Sequence, residues 1–143
     1  MLTRTVIRPF DAARDQVAVV SLWRIIFGYG APHNDPEFII RMKLAVDDGL
    51  FSVAECGGEM IGTVMAGYDG HRGWIYSLAV QPAARGKGTG SQLLQHAEAA
   101  LAARGCVKVN LQVLADNNGV VDFYRQAGYT VEPRISMGKL ISR

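Results

Sequence analysis

The run Gln81-Pro82-Ala83-Ala84-Arg85-Gly86-Lys87-Gly88-Thr89-Gly90-Ser91 constrains this chain more than any other segment. Residues 74–80 before it have strand character, and a long apolar-periodic run starts near Thr89, so the segment joins a strand to a helix. Three glycines at alternate positions permit unusual backbone angles and close approach by a ligand. The first amides of a helix lack internal acceptors and lie at the positive end of its dipole. Arg85 and Lys87 add fixed charge. Together these features describe an anion site suited to phosphate or pyrophosphate. A Walker A loop needs Ser or Thr after Gly86-Lys87, where Gly88 stands, which argues against an ATPase. A Gly-x-Gly-x-x-Gly dinucleotide fingerprint also fails, because its third position falls on Ser91 or Leu93.

The rest of the chain reads as mixed α/β. Residues 4–8 form a short strand before Pro9, and Asp11 sits where a helix N-cap belongs. Val19, Leu22, Trp23 and Ile26 make one helical face, and Gly28 and Gly30 end it. Asp35-Pro36-Glu37 reads as N-cap, first-turn proline and first-turn acid of a second helix running to about Asp47. Residues 50–55 and 60–68 read as strands joined by a hairpin turn at Cys56-Gly57-Gly58-Glu59. With residues 74–80 they make an antiparallel meander, with Trp74, Tyr76, Leu78 and Val80 expected on one face. A helix over residues 89–104 buries Leu93, Leu94, Ala97, Ala100 and Leu101, with Gly105 as its cap. Residues 107–114 alternate as a strand. Asp116-Asn117-Asn118-Gly119 opens a helix carrying Val120, Phe123, Tyr124 and Ala127, which Gly128 ends. Residues 129–131 and 134–141 are predicted to be the last strands.

Composition narrows the function classes. The chain has 143 residues, which fits a single domain over residues 1–143 with a core of its own. Fifteen Lys and Arg against 13 Asp and Glu give a net charge of +2, too little for a dedicated nucleic-acid binder. Cys56 and Cys106 make no disulfide framework and read as reduced, partly buried thiols. His33, His71 and His96 are scattered, so no metal site is expected. The start of the chain lacks the apolar core of a signal peptide, and no apolar stretch is long enough to span a bilayer. A cytoplasmic location is expected, with no membrane partner.

Val80-Gln81-Pro82 followed by Arg85, Gly88 and Gly90 resembles the acyl-CoA loop of the GNAT N-acetyltransferases, whose pattern is Arg/Gln-x-x-Gly-x-Gly/Ala. Asn117, then Phe123-Tyr124 and Gly128-Tyr129, resembles that family's second signature, with Val120 where a small residue is frequent. The order of strands and helices is similar over nearly the whole chain. Tyr68–Gly73 and Asn34-Asp35-Pro36 look like those of a small bacterial single-domain subgroup. The resemblance implies a GNAT-like mixed sheet with two N-terminal helices, an antiparallel meander, and a splayed central strand pair followed by helices.

It also implies a reaction. Acetyl-CoA would be the co-substrate, with Arg85, Gly86, Lys87, Gly88, Thr89, Gly90 and Ser91 around its pyrophosphate. The pantetheine arm would run along Leu78, Ala79 and Val80, and Asn117 would fix the arm or the loop. A primary amine would attack the thioester directly in a ternary complex, with Tyr124 as general acid to the leaving thiolate. The amine would be carried by a small molecule, a peptide or a protein. An alkylamine has a pKa of roughly 10, so it must also lose a proton. Glu55, Asp69, His71, Tyr76 and a water relay all stay open for that role. Trp23 and Tyr29 are candidates for an acceptor pocket, although Trp23 also fits the core stripe of its helix. A non-catalytic acyl-CoA-binding or regulatory module is the alternative, and the resemblance leaves a homodimer open.

Overall fold

The computed structural model describes residues 4–28 and 31–142, so Tyr29 and Gly30 lie outside the described residues. The chain gathers into two compact units, one ending at Gln112 and one from Val113 on.

The first unit holds a five-stranded sheet in the order β1-β2-β3-β4-β5. Its strands are β1 (Thr5–Pro9), β2 (Phe51–Cys56), β3 (Glu59–Tyr68), β4 (Gly73–Val80) and β5 (Val109–Leu111). The first four pair antiparallel, and β5 pairs parallel to β4. Three helices accompany it: α1 (Ala12–Phe27), α2 (Pro36–Val46) and α3 (Thr89–Ala102). The caps are those the sequence signals. Asp11 accepts from the Ala13 amide at 3.0 Å, and Asp35 accepts from Phe38 at 3.1 Å with Pro36 just behind it. The β2–β3 turn has positive φ at both Gly57 and Gly58, the geometry of a two-residue hairpin. Pro9 is tolerated because β1 is an edge strand, where a missing N–H breaks no ladder.

Gly62 and Thr63 are neighbours on a regular stretch of β3, so they face opposite sides of the sheet. A Cβ at Gly62 would stand 2.9 Å from Leu93 of α3, while Thr63 bonds Trp23 of α1. Helices α1 and α3 therefore cover opposite faces. The α1 side is a core of Val19, Leu22, Trp23, Ile40, Phe51, Val53, Met65 and Ala79. The α3 side buries Leu93, Leu94, Ala97 and Leu101. Each large apolar side chain removed from water in this way contributes about 1.5–3 kcal/mol.

At the β1 edge, Arg8 reaches both carboxylate oxygens of Asp15 at 2.7 and 2.8 Å and Glu55 at 2.9 Å. Arg14 bonds Glu55 as well, at 2.9 Å. The Arg8 hydrogen bonds hold the buried Asp15 carboxyl below the ordinary range, against the upward push of burial. Lys43 at the end of α2 is nearly buried and ties Asp48 at 2.8 Å to the Ala66 carbonyl of β3.

The second unit contains α4 (Asn118–Gln126), capped by Asn117, whose side chain accepts from the Val120 amide at 3.4 Å. Tyr124 stacks edge-on against Phe123 and Tyr129 at 5.1 and 5.6 Å. Two predictions need correcting. The strand expected over residues 107–114 is only Val109–Leu111, because β4 leaves its partner after Ile75. Residues 129–131 and 134–141 are not strands. A strand holds only by pairing, and the second unit has no other strand among its described residues, so Ile135, Met137 and Ile141 stand exposed.

Candidate active site

The site begins with an irregularity in β4. Thr63 faces Ala79 and Met65 faces Tyr76, so two steps on β3 match three on β4. The extra residue is a bulge, and Ser77 within it has φ of +50°, rare for a residue with a side chain. The bulge inverts the alternation beyond it. Gly73 packs against Leu101, and Val80 shares Gly62's α3 side, whereas Tyr76 lies across Gly67 on the opposite face. The expected single face of Trp74, Tyr76, Leu78 and Val80 is therefore wrong, and the one-residue insertion is the reason. No glycine or proline marks this place in the sequence, so pattern alone gave no signal for it.

Strand β5 accompanies β4 only over Gly73–Ile75. Where the two part, a cleft of about 260 Å3 opens, lined by Trp74, Ile75, Tyr76, Ser77 and Gln112. Beyond it the Gln81 amide donates to Ile61 of β3 at 2.8 Å. Peptide groups alternate along a strand, so those of Val80 and Leu78 point away from β3, toward the open edge. There the Val80 carbonyl accepts a long contact, 3.4 Å, from the Arg85 guanidinium.

The strand then runs into the glycine loop. Gln81 anchors the start through its side chain, which donates to the Met60 carbonyl at 2.7 Å. A short 3-10 turn, Pro82–Ala84, delivers the chain to Arg85. Gly86 and Gly88 have φ of +80° and +82°, and a Cβ at either would meet nothing within 4 Å. Gly88 is the N-cap of α3 and offers no side-chain acceptor, so the amides of Thr89, Gly90 and Ser91 are uncapped donors. Arg85 and Lys87 are exposed beside them. Open space, unspent donors and cations together fit a pyrophosphate.

The structure thus brings Leu78, Ala79, Val80 and residues 85–91 into one continuous strand-loop-helix path. Asn117 caps α4 and Tyr124 lies on it, both in the second unit. Burial pushes the Tyr124 phenol up to about 12, so it carries its proton at neutral pH. The base candidates fare differently. Glu55 is neither free nor a solvated turn end, since two arginines hold it at the far side of the sheet. Asp69 accepts the His71 and Arg72 amides at 2.7 Å each and fastens the β3–β4 turn. These amide bonds, Arg72 first, hold its carboxyl below the ordinary range. His71 is exposed in the same turn. Tyr76 lines the cleft, and burial, with help from the Asp48 and Asp69 charges, raises its phenol, so the hydroxyl keeps its proton. Trp23 is a core residue. Sequence reasoning missed Ser77, Gly67 and Thr63, whose roles depend on partners across the sheet.

Comparison with known proteins identifies the family and the fold. The Acetyltransferase (GNAT) family profile matches residues 17–129. An acetyltransferase of Pectobacterium atrosepticum is 45% identical over 125 residues, 87% of this chain and 88% of that protein. The fold is that of glucosamine-6-phosphate N-acetyltransferase from Arabidopsis thaliana, with TM-score 0.72 at 22% identity over 97% of this chain and 99% of that one. It is also that of the PaiA N-acetyltransferase of Thermoplasma acidophilum, solved with coenzyme A, with TM-score 0.76 at 19% identity over 92% and 93%. The chain belongs to the GNAT acetyltransferase family. It is an acyltransferase.

Proposed function

We propose that this protein is a single catalytic domain that transfers an acetyl group from acetyl-CoA to a primary amine, in the cytoplasm. The observation that carries the reading is the half-paired strand β4, whose open edge from Tyr76 to Val80 leads straight into uncapped amides at the start of α3. In this reading the amides of Thr89, Gly90 and Ser91 hold the pyrophosphate, with Arg85 and Lys87 balancing its charge. Gly86 and Gly88 leave room for it. The outward peptide groups of Leu78 and Val80 take the pantetheine arm as an added strand. The cleft at Tyr76 and Ser77 receives the thioester end. Asn117 keeps α4 capped, and Tyr124 donates its proton to the departing thiolate. The amine's own proton leaves to solvent through the cleft, where Tyr76 is half exposed.

Calorimetry with acetyl-CoA, free CoA and ATP tests the binding half. Acetyl-CoA and CoA should bind and ATP should not; absence of binding by the first two would overturn the reading. Tyr124→Phe tests the chemical half. Turnover should fall by about a hundredfold, the lower range for a lost general acid, with acetyl-CoA affinity unchanged. Unchanged turnover would remove Tyr124 from the mechanism.

A further inference from the structure

The bulge in β4 is held from outside its own strand. Thr63 on β3 is fully buried, as is Trp23 on α1. The Trp23 indole N–H donates to the Thr63 hydroxyl at 2.9 Å, and that hydroxyl donates to the Ser77 carbonyl at 2.8 Å. An indole nitrogen can only donate, and a hydroxyl has a single proton. The Trp23 bond therefore occupies a lone pair of Thr63 and leaves its proton for Ser77, so the direction of both bonds is fixed. Ser77 is the residue that needs such help. It has a backbone conformation that side-chain-bearing residues resist, and as a bulge it falls outside the regular ladder. It also lines the cleft, which Thr63 and Trp23 do not.

We propose that Thr63, oriented by Trp23, is a positioning residue for the acyl-CoA site: its hydroxyl holds the Ser77 bulge and with it the parting of β4 from β5. This rests on the acyl-CoA reading given above. The bulge decides which peptide groups meet the ligand. Without it, every residue beyond Ser77 would shift by one place against β3, and Ala79 would take the outward position that Val80 holds. The thioester would then face a regular strand in place of an opening.

The test compares Thr63→Val, which keeps the shape and loses the hydroxyl, with Thr63→Ser, which keeps the hydroxyl. Thr63→Val should weaken acetyl-CoA binding about tenfold, the scale of one buried hydrogen bond. Thr63→Ser should stay within about twofold of the parent protein, since its hydroxyl persists. The double variant Thr63→Val with Trp23→Phe removes the indole donor left stranded by the first change. It should regain part of the lost melting temperature while affinity stays weak, a split that a purely structural role would not produce. Parent-like affinity in Thr63→Val, equal weakness in Thr63→Ser, or recovery of affinity in the double variant would each overturn the proposal. If Thr63→Val does not fold, Trp23→Phe alone should weaken binding while Thr63→Ser does not, and the reverse order would overturn it. Hydrogen exchange of residues 76–80 without ligand separates this idea from the function it rests on. Faster exchange there in Thr63→Val upholds the hold on the bulge even if the parent protein binds no acetyl-CoA, and unchanged exchange refutes it.

Discussion

The two sides of the sheet differ in what their polar groups are committed to. At β1, all five residues pair with β2, and Arg8, Asp15, Glu55 and Arg14 satisfy one another. Phe10 stacks on Phe51 at 4.2 Å and closes the layer beneath. At β4, pairing on the outer side lasts three residues, a serine takes a strained backbone angle, and the Val80 peptide faces away from β3. The first side spends its hydrogen bonds on the fold. The second withholds them, and the withheld groups are what an extended ligand can use. An active site in such a sheet is a place where pairing stops early.

Substitutions on each side should therefore move different observables. The largest effect is expected from Asp15→Asn. It takes the charge from the buried partner of Arg8 and should cost about 3 kcal/mol in denaturant unfolding, the scale for breaking a buried ion pair. Acetyl-CoA affinity should not change. The pH dependence follows from the lowered Asp15 carboxyl. Its contribution is complete above the ordinary value of 3.8 and is lost as pH falls through the depressed one, so Asp15→Asn should flatten the acid limb of the stability curve. A parent-like acid limb would place the acid sensitivity elsewhere. Next in size is Gly88→Val. A branched side chain at φ of +82° is strained by about 1–2 kcal/mol, yet it meets no neighbouring atom. Acetyl-CoA affinity should fall further than that strain explains, by about a hundredfold, because the Cβ enters the space reserved for pyrophosphate. Normal binding would sink the loop assignment. The smallest effect belongs to Gly67→Ala. The added carbon would collide with the Tyr76 hydroxyl, whose ring is half exposed and can swing away, so the stability cost is about 1 kcal/mol. The KM for acetyl-CoA should rise because the displaced ring enters the cleft. A stability loss with unchanged KM would show that Tyr76 has no part in shaping it.

Much of this was legible in the sequence because it is written locally. Asp11, Asp35 and Asn117 cap the helices their positions announce, and Gly57-Gly58 turns the hairpin. Gly86 and Gly88 adopt the angles that only their spacing suggests. What escaped depends on distant partners. Glu55 looks like a free acid at a turn until Arg8, 47 residues away, reaches it. Ser77 looks like any strand residue until Thr63, 14 residues earlier, claims its carbonyl. β5 pairs only over Val109–Leu111, and the alternation of residues 107–114 carries no trace of where that pairing ends. Residues 134–141 show the converse: alternation supplies a strand's preference, and without a neighbouring ladder the preference is not enough.

The brief parallel contact between β4 and β5 also bears on the order in which the chain assembles. The β2–β3 and β3–β4 hairpins close short loops, so they can form early. The ladder of Gly73–Ile75 with Val109–Leu111 must wait until α3 has crossed over, and it repays that long closure with three residue pairs. It should be among the last ladders to form and the first to open under mild denaturant. The reactive end of the molecule would then breathe well before the rest unfolds, giving acyl-CoA a route of entry whose rate depends on local opening and not on global stability.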